Sequence, residues 1–352
     1  MKNSTQINSM LLLKWCMLLL LITPKFIYSQ ETKTTEYRTL NAYISDFSKN
    51  ELFVKKSMVD YSNSIVENQL ESRTKATANR ITEKLIALNK NLKLNDKGYK
   101  SNTLLRDSFI KMNEKTIECL NNGTLIMNDY ELQSLKSPDE IIQNLKERQL
   151  NLTSYFTEIR LFEESKREFG CLFNVNIRNF TGKNILEYNA FENILFYKIN
   201  VIDEKINASI LKMNKEDFFK SITALENINQ EVILKTNNYK NSYNDSSLNN
   251  ANIAFSNFIF TQKAKLVPLF NSFYDDYILL QKLKNATSEQ EITQYNSVVR
   301  SYNLKKNQLY DTLDIIQKNK KILFDNFFVV NRTFLKNNMK QVDLYESYTY
   351  ND

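Results

Sequence analysis

The side chains available for chemistry in this chain are carboxylates, lysines, tyrosines and two internal cysteines, because histidine is absent. That absence excludes Ser-His-Asp and Cys-His nucleophilic pairs. It also excludes haem or zinc held through imidazole, and the Glu-x-x-His motif of di-iron helical bundles. Cys119 and Cys171 are too few for an all-thiolate metal site. Four isolated glycines form neither a Gly-x-Gly-x-x-Gly turn nor a Walker loop, so no phosphate cradle is present. Asn244-Asp245-Ser246-Ser247 does not extend into the alternating oxygen ligands and central glycine of a calcium loop.

Adjacent acids remain. Glu163 and Glu164 point about 100° apart on a helix, as do Asp275 and Asp276, so neither pair is placed to act together. Both read as solvated face. A carboxylate-based hydrolase would need two acids facing each other across a cleft. The expectation is therefore no catalytic, cofactor-binding or metal site, and no cofactor. Cys119 shares a helical face with Phe109, Met112 and Thr116 and reads as a small core residue. Cys171 follows Gly170 at a helix end; whether the two cysteines pair depends on their Cα atoms lying within about 7 Å.

The first thirty residues read as a secretory signal: Lys2 and Lys14, an apolar run from Trp15 to Ile22, Pro24, and Ile27-Tyr28-Ser29 before the cut. A span needs about 20 apolar residues, and Lys14 and Pro24 interrupt this stretch. Cleavage would take Lys2, Lys14 and Lys25 with it, moving the formal charge from +7 to +4. A mild charge that alternates in sign does not suit a nucleic-acid binder. The most basic run, Lys318-Asn319-Lys320-Lys321, reads as solvated face. No later segment approaches a transmembrane run. The partner is left unknown, with a protein or cell-envelope component as the candidates.

The elements that position these residues are helices. Four Gly and three Pro in 352 residues suit long helices with few turns. Ser137-Pro138-Asp139-Glu140 is a capping box with proline at the first helical position. Its apolar face runs Ile141, Leu145, Leu152, Tyr155, Ile159, Phe162, Phe169 and Phe173. Arg148 and Lys166 fall in that stripe, their stems along it and their heads in water. Ser288-Glu289-Gln290-Glu291 opens a second such helix, with Ile292, Tyr295, Val299, Tyr302, Leu309, Leu313, Ile316, Leu323, Phe327 and Val330 on its stripe. Most of the 19 Tyr and 22 Phe fall on stripes of this kind and read as core.

The chain also reads as duplicated. Leu52-Phe53-Val54-Lys55 with Val59-Asp60 matches Leu195-Phe196-Tyr197-Lys198 with Ile202-Asp203. Asp129-Tyr130 answers Asp276-Tyr277, Ser137 answers Ser288, and Phe169 and Phe173 answer Phe324 and Phe328. The offsets grow by about one helical turn at each step. Helices are predicted over 37–71, 74–93, 101–134 and 137–173, with Asn121-Asn122-Gly123 able to split the third. The second half gives 185–212, 214–240, 246–284 and 288–336, with Pro268 kinking or breaking the third of these. Val175 to Ile177 reads as a short extended piece with no partner strand.

The predicted organisation is a signal over 1–29, a bundle over 37–173, a linker over 174–184, a bundle over 185–336 and a frayed tail over 337–352. The fold class is all-α: two tandem, internally duplicated antiparallel four-helix bundles, or one elongated merged bundle.

Two stretches carry a resemblance. They are Tyr155-Phe156-Thr157-Glu158-Ile159-Arg160-Leu161-Phe162-Glu163-Glu164-Ser165-Lys166-Arg167-Glu168-Phe169-Gly170 and Asn184-Ile185-Leu186-Glu187-Tyr188-Asn189-Ala190-Phe191-Glu192-Asn193. Together they resemble a family of exported and surface-exposed proteins found in leptospires and Bacteroidetes, described by location and not by activity. The resemblance implies export and a helical architecture and assigns no ligand or catalytic residue. The functional expectation is a non-enzymatic, exported cell-envelope or surface protein acting through binding. The alternative is a carrier of an apolar small molecule or lipid between bundle helices. If the signal is cleaved as read, the intact mass of the secreted chain lacks the first 29 or 30 residues; a full-length mass would refute that reading.

Overall fold

The computed structural model describes residue 37 and residues 39–67, 71–125, 127–177, 185–239, 245–285, 287–338 and 348–350. The predicted signal, most of the predicted linker and most of the tail lie outside these residues. The described chain is an all-α bundle. In order it contains α1 (Leu40–Val66), α2 (Glu71–Asn95), α3 (Leu104–Asn121), the short α4 (Tyr130–Ser134) and α5 (Pro138–Phe173). There follow β1 (Val175–Ile177), α6 (Ile185–Leu211), α7 (Lys215–Tyr239), α8 (Ser247–Leu283), α9 (Glu289–Asn338) and β2 (Tyr348–Tyr350).

The helix starts follow from their caps. Thr39 accepts a hydrogen bond from the Ala42 amide at 3.2 Å, opening α1. Both predicted capping boxes form. Ser137 Oγ accepts from the Glu140 amide, and the Glu140 carboxylate accepts from the Ser137 amide at 2.9 Å. Ser288 and Glu291 repeat the exchange at 3.2 and 3.1 Å. Each box satisfies two amides that would otherwise lack partners in the first turn. The predicted third helix is indeed split, with α3 ending at Asn121 and Gly123 at φ +71° behind it. Asn174, in the left-handed region, ends α5.

Three expectations are corrected. Of the two outcomes expected at Pro268, a kink or a break, the break does not occur, and α8 continues on both sides of it. The extended piece does have a partner: β1 pairs antiparallel with β2, Val175 opposite Tyr350 and Ile177 opposite Tyr348, so three residues of the predicted frayed tail are strand. A partner more than 170 positions away leaves no local signal. Third, Ile292 and Tyr295 on the predicted α9 stripe are exposed. The distal ends of α8 and α9 form a hairpin: after Phe273 on α8, and before Leu309 on α9, neither helix buries a side chain.

The core is continuous from Tyr43 to Phe334, so the two halves share one interior. Its centre is α6, which packs against α4, α5, α7, α8 and α9. Every residue from Glu192 to Asp203 is buried, which no one-sided amphipathic helix would show. Aromatic rings fill the interior on both sides. Phe47, Phe109 and Phe162 meet at 5.2 to 6.3 Å between α1, α3 and α5. Phe196 stacks on Phe327 at 3.8 Å and meets Phe255 at 4.5 Å between α6, α8 and α9.

The α2–α3 turn depends on one glycine. Gly98 sits at φ +74°, and a Cβ there would lie 1.9 Å from the Asn102 carbonyl oxygen. Gly123 has a similar φ of +71° but open space around it. Gly98→Ala should therefore cost clearly more in urea denaturation than Gly123→Ala, which carries only the left-handed penalty of about 1–2 kcal/mol. Equal losses would show that the turn relaxes.

Candidate functional site

The polar groups of the interior converge on α6. Asp203 is fully buried and lies 2.9 Å from the Lys263 ammonium of α8 and 2.7 Å from the Lys320 ammonium of α9. Lys320 reaches Glu204 as well, at 2.7 Å, and Lys263 donates to Asn207 Oδ1. The cluster thus sets two lysines against two acids. Burial alone would raise the Asp203 carboxyl, but the two lysines outweigh it and hold the group below the usual carboxylate range. Burial would likewise lower Lys320, and Asp203 and Glu204 raise it instead. This corrects the solvated-face expectation for Lys320. Its neighbours Lys318 and Lys321 are exposed, as expected.

A second buried pair joins α1 to α5. Lys166 is 2.8 Å from Glu51 and 2.6 Å from Glu163, with Lys55 also on Glu51 at 2.9 Å. A third joins the segment before α4 to α5 and α6. Arg148 forks onto Asp129 at 3.2 and 2.7 Å, and Tyr197 donates to the same carboxylate at 2.7 Å. Gln133 donates to it at 2.8 Å. The head of Lys166 therefore does not reach water, and that of Arg148 is part-buried; both are neutralised by acids on other segments.

Two further arrangements are uncharged or nearly so. Asn189 donates to Asn331, Asn331 donates to Asn193 at 2.7 Å, and Asn193 donates to Asn189 at 2.9 Å. The three buried amides close a ring between α6 and α9. Next to it, Asn252 Nδ2 of α8 donates to Glu192 Oε2 at 2.7 Å. Glu192 Oε1 and Asn252 Oδ1 are both buried acceptors without a partner. Burial pushes the Glu192 carboxyl up to about 7, opposed only by the Asn252 hydrogen bond. A protonated Glu192 supplies the one donor that this acid–amide pair lacks.

The concave feature of the site is an apolar cleft between α1, α5 and the start of α6. Met58, Tyr61, Ile65, Met127, Phe156 and Ala190 are among its walls. Asn189 and Asn193 form a polar corner, and the buried Tyr61 hydroxyl has no partner. The cavity volume of the cleft is ≈ 50 Å³. That is room for about three to five water-sized groups, well short of the ~300 Å³ or more of a small-molecule pocket.

The acids singled out in the sequence are not brought together at this cleft. Glu163 is on Lys166, Asp275 lies 3.5 Å from Lys215, and Asp276 lies 2.9 Å from Lys305. Cys119 is buried and Cys171 exposed, and both are free thiols. Burial raises the Cys119 thiol to about 11, which fits a core residue and not a nucleophile. Among the described residues no group of three His, Cys, Asp or Glu side chains is placed to hold a metal ion. No helix among them is long and apolar enough to cross a membrane. Sequence reading passed over Asp203, Glu192, Lys263 and the asparagine ring. The signal for Asp203, Glu192, Asn189 and Asn193 was the density of polar residues inside the otherwise apolar α6; Lys263 on α8 and Asn331 on α9 carried none.

No family model, no curated protein and no solved structure matches this chain.

Two outcomes test the interior. Asp203→Ala leaves the buried Lys263 ammonium without an acid and Lys320 with Glu204 alone, and should destabilise by about 3–5 kcal/mol, read by urea denaturation. A loss under about 1 kcal/mol would mean that water reaches the cluster. For Glu192, the folded chain keeps its proton to about pH 7 while the unfolded carboxyl releases it near 4.5. The folded state then binds more protons, so its stability falls as pH rises through that window, by an amount on the order of 3 kcal/mol. Glu192→Gln carries the missing N–H donor at every pH. It should remove that slope and be the more stable protein at pH 8; an unchanged slope would exclude Glu192 as its source.

Proposed function

We propose that this chain is a non-enzymatic, exported protein of the cell envelope or surface that acts through binding, as its resemblance to exported leptospiral and Bacteroidetes proteins implies. The apolar cleft between α1, α5 and α6 carries the binding part of that reading. Its walls are Met, Ile, Phe and Tyr side chains, and its polar feature is the corner formed by Asn189 and Asn193. An apolar group with one hydrogen-bonding atom is the guest such a lining favours. The buried lysines are engaged in ion pairs with Glu51 and Asp203, and no charged side chain lines the cleft, so recognition there is apolar and not ionic. The N-terminal apolar run supports export.

The carrier reading follows from the same cleft in a restricted form. An enclosed volume of ≈ 50 Å³ holds the end of a chain or part of a ring, while the rest of the guest stays at the mouth. That suits a partner's side chain or an acyl terminus better than a whole lipid. Alkyl amphiphiles of increasing length, titrated by calorimetry, should gain affinity over the first few methylenes at about 0.8 kcal/mol each and then level off. Ala190→Phe fills the cleft and should abolish binding with the helix content unchanged in circular dichroism. Binding that Ala190→Phe leaves intact would remove the cleft as the site.

A further inference from the structure

α9 presses one face onto α8, α6 and α1. Its opposite face carries a second apolar row: Leu304, Ile315, Ile322 and Val329 are 61, 60, 66 and 57% exposed. At 100° per residue they fall in a band about 40° wide and about 38 Å long. Scattered surface leucines need no explanation, but an aligned row of large side chains does. Beside it runs a charged row at seven-residue intervals, Asp311, Lys318, Asp325 and Arg332, all exposed and alternating in sign. Both rows drift by the same ~20° per heptad, so they stay side by side, and a left-handed supercoil takes up that drift.

The two rows share a centre of symmetry. Turned end for end about Ile322, the last three members of the apolar row place Ile315 on Val329 and Ile322 on itself, and Leu304 falls outside the symmetric stretch. Turned about the midpoint of Lys321 and Ile322, the charged row places Asp311 against Arg332 and Lys318 against Asp325. The two centres differ by half a residue, about 0.75 Å along the axis. A twofold homodimer requires this: one patch that complements itself when reversed. In a second copy running parallel the two charged rows would lie on opposite edges of the seam and could not meet, so the placement of the row selects the antiparallel arrangement.

We propose that the outer face of α9 is a dimerisation surface on which two copies of this chain pair antiparallel about Ile322. Within one chain Lys318 lies 2.8 Å from Asp314 and Lys321 lies 3.2 Å from Asp325. All four are exposed, and exposed pairs spaced i,i+4 hold weakly enough to exchange for partners across an interface. The pairing sits on the side of α9 away from the α1–α5–α6 cleft walls, so it stands independently of what the cleft binds.

Cysteine cross-linking and sedimentation test the geometry. In a Cys171→Ser background, Ile322→Cys meets its own symmetry mate and should oxidise readily to a disulfide-linked dimer. Leu304→Cys, whose mates would lie more than 50 Å apart, should not. Lys318→Asp should weaken self-association by about tenfold in sedimentation, and adding Asp325→Lys should restore it, because the swap rebuilds both pairs. A monomer at about 100 µM, equal cross-linking at both positions, or no recovery in the double variant would each overturn the proposal.

Discussion

Asp203 stands on α6 with one lysine of α8 and one of α9 against its two oxygens. These contacts tie the axial positions of three helices. Sliding any of them by one turn, ~5.4 Å, would leave a charge buried without its counter-ion, at a cost of several kcal/mol. Apolar stripes tolerate such a slip far better, because a leucine one turn away is still a leucine. The pairs Glu51–Lys166 and Asp129–Arg148 set α5 against α1 and against the segment before α4 in the same way. Register in this bundle is held by ions, and cohesion by the aromatic and aliphatic packing around them.

That division explains why the central helix is so polar. A helix packed on all sides has no wet face on which to place its polar residues, and α6 still carries Asn189, Glu192, Asn193, Lys198, Asn200, Asp203 and Lys205 in buried positions. Nearly all of them find a partner on a neighbouring helix or one turn back. Glu192 is the member without a cation, and its proton takes the place of one. The cleft opens at the first turns of α6, beside the asparagine ring, where Asn189 and Asn193 form its polar corner and the rest of the lining is apolar.

Much of the fold was legible because helix boundaries are written locally. The serine and glutamate of each capping box, Asn121-Asn122-Gly123 and the three-and-four spacing of Phe and Leu each depend on residues within one or two turns. The buried charges were not legible in that way. Lys166 and Lys320 look like surface residues, and the acids that neutralise them lie 115 and 117 positions away. The β1–β2 pair failed for the same reason, and Ile292 and Tyr295 because periodicity shows which face of a helix is apolar but not whether anything covers it. Of the cleft, the sequence placed only Tyr155 and Ile159 on a stripe; the convergence of its walls is a property of the packing.

The α8–α9 hairpin leaves the body at a tight staple. Phe273 stacks on Tyr302 at 4.9 Å, Asp276 accepts from Ser301 at 2.6 Å, and Lys305 closes on Asp276 at 2.9 Å. Beyond it, about 10 Å of α8 pairs with α9 and holds only its own half-exposed seam. Opening free energy should therefore climb along the hairpin, from almost nothing at the turn to the full stability of the protein at Phe273. The tip can fray, be cut by a protease or accept an inserted peptide without the interior registering it. The staple is where such damage stops, which makes this turn the natural place to graft a reporter onto the molecule.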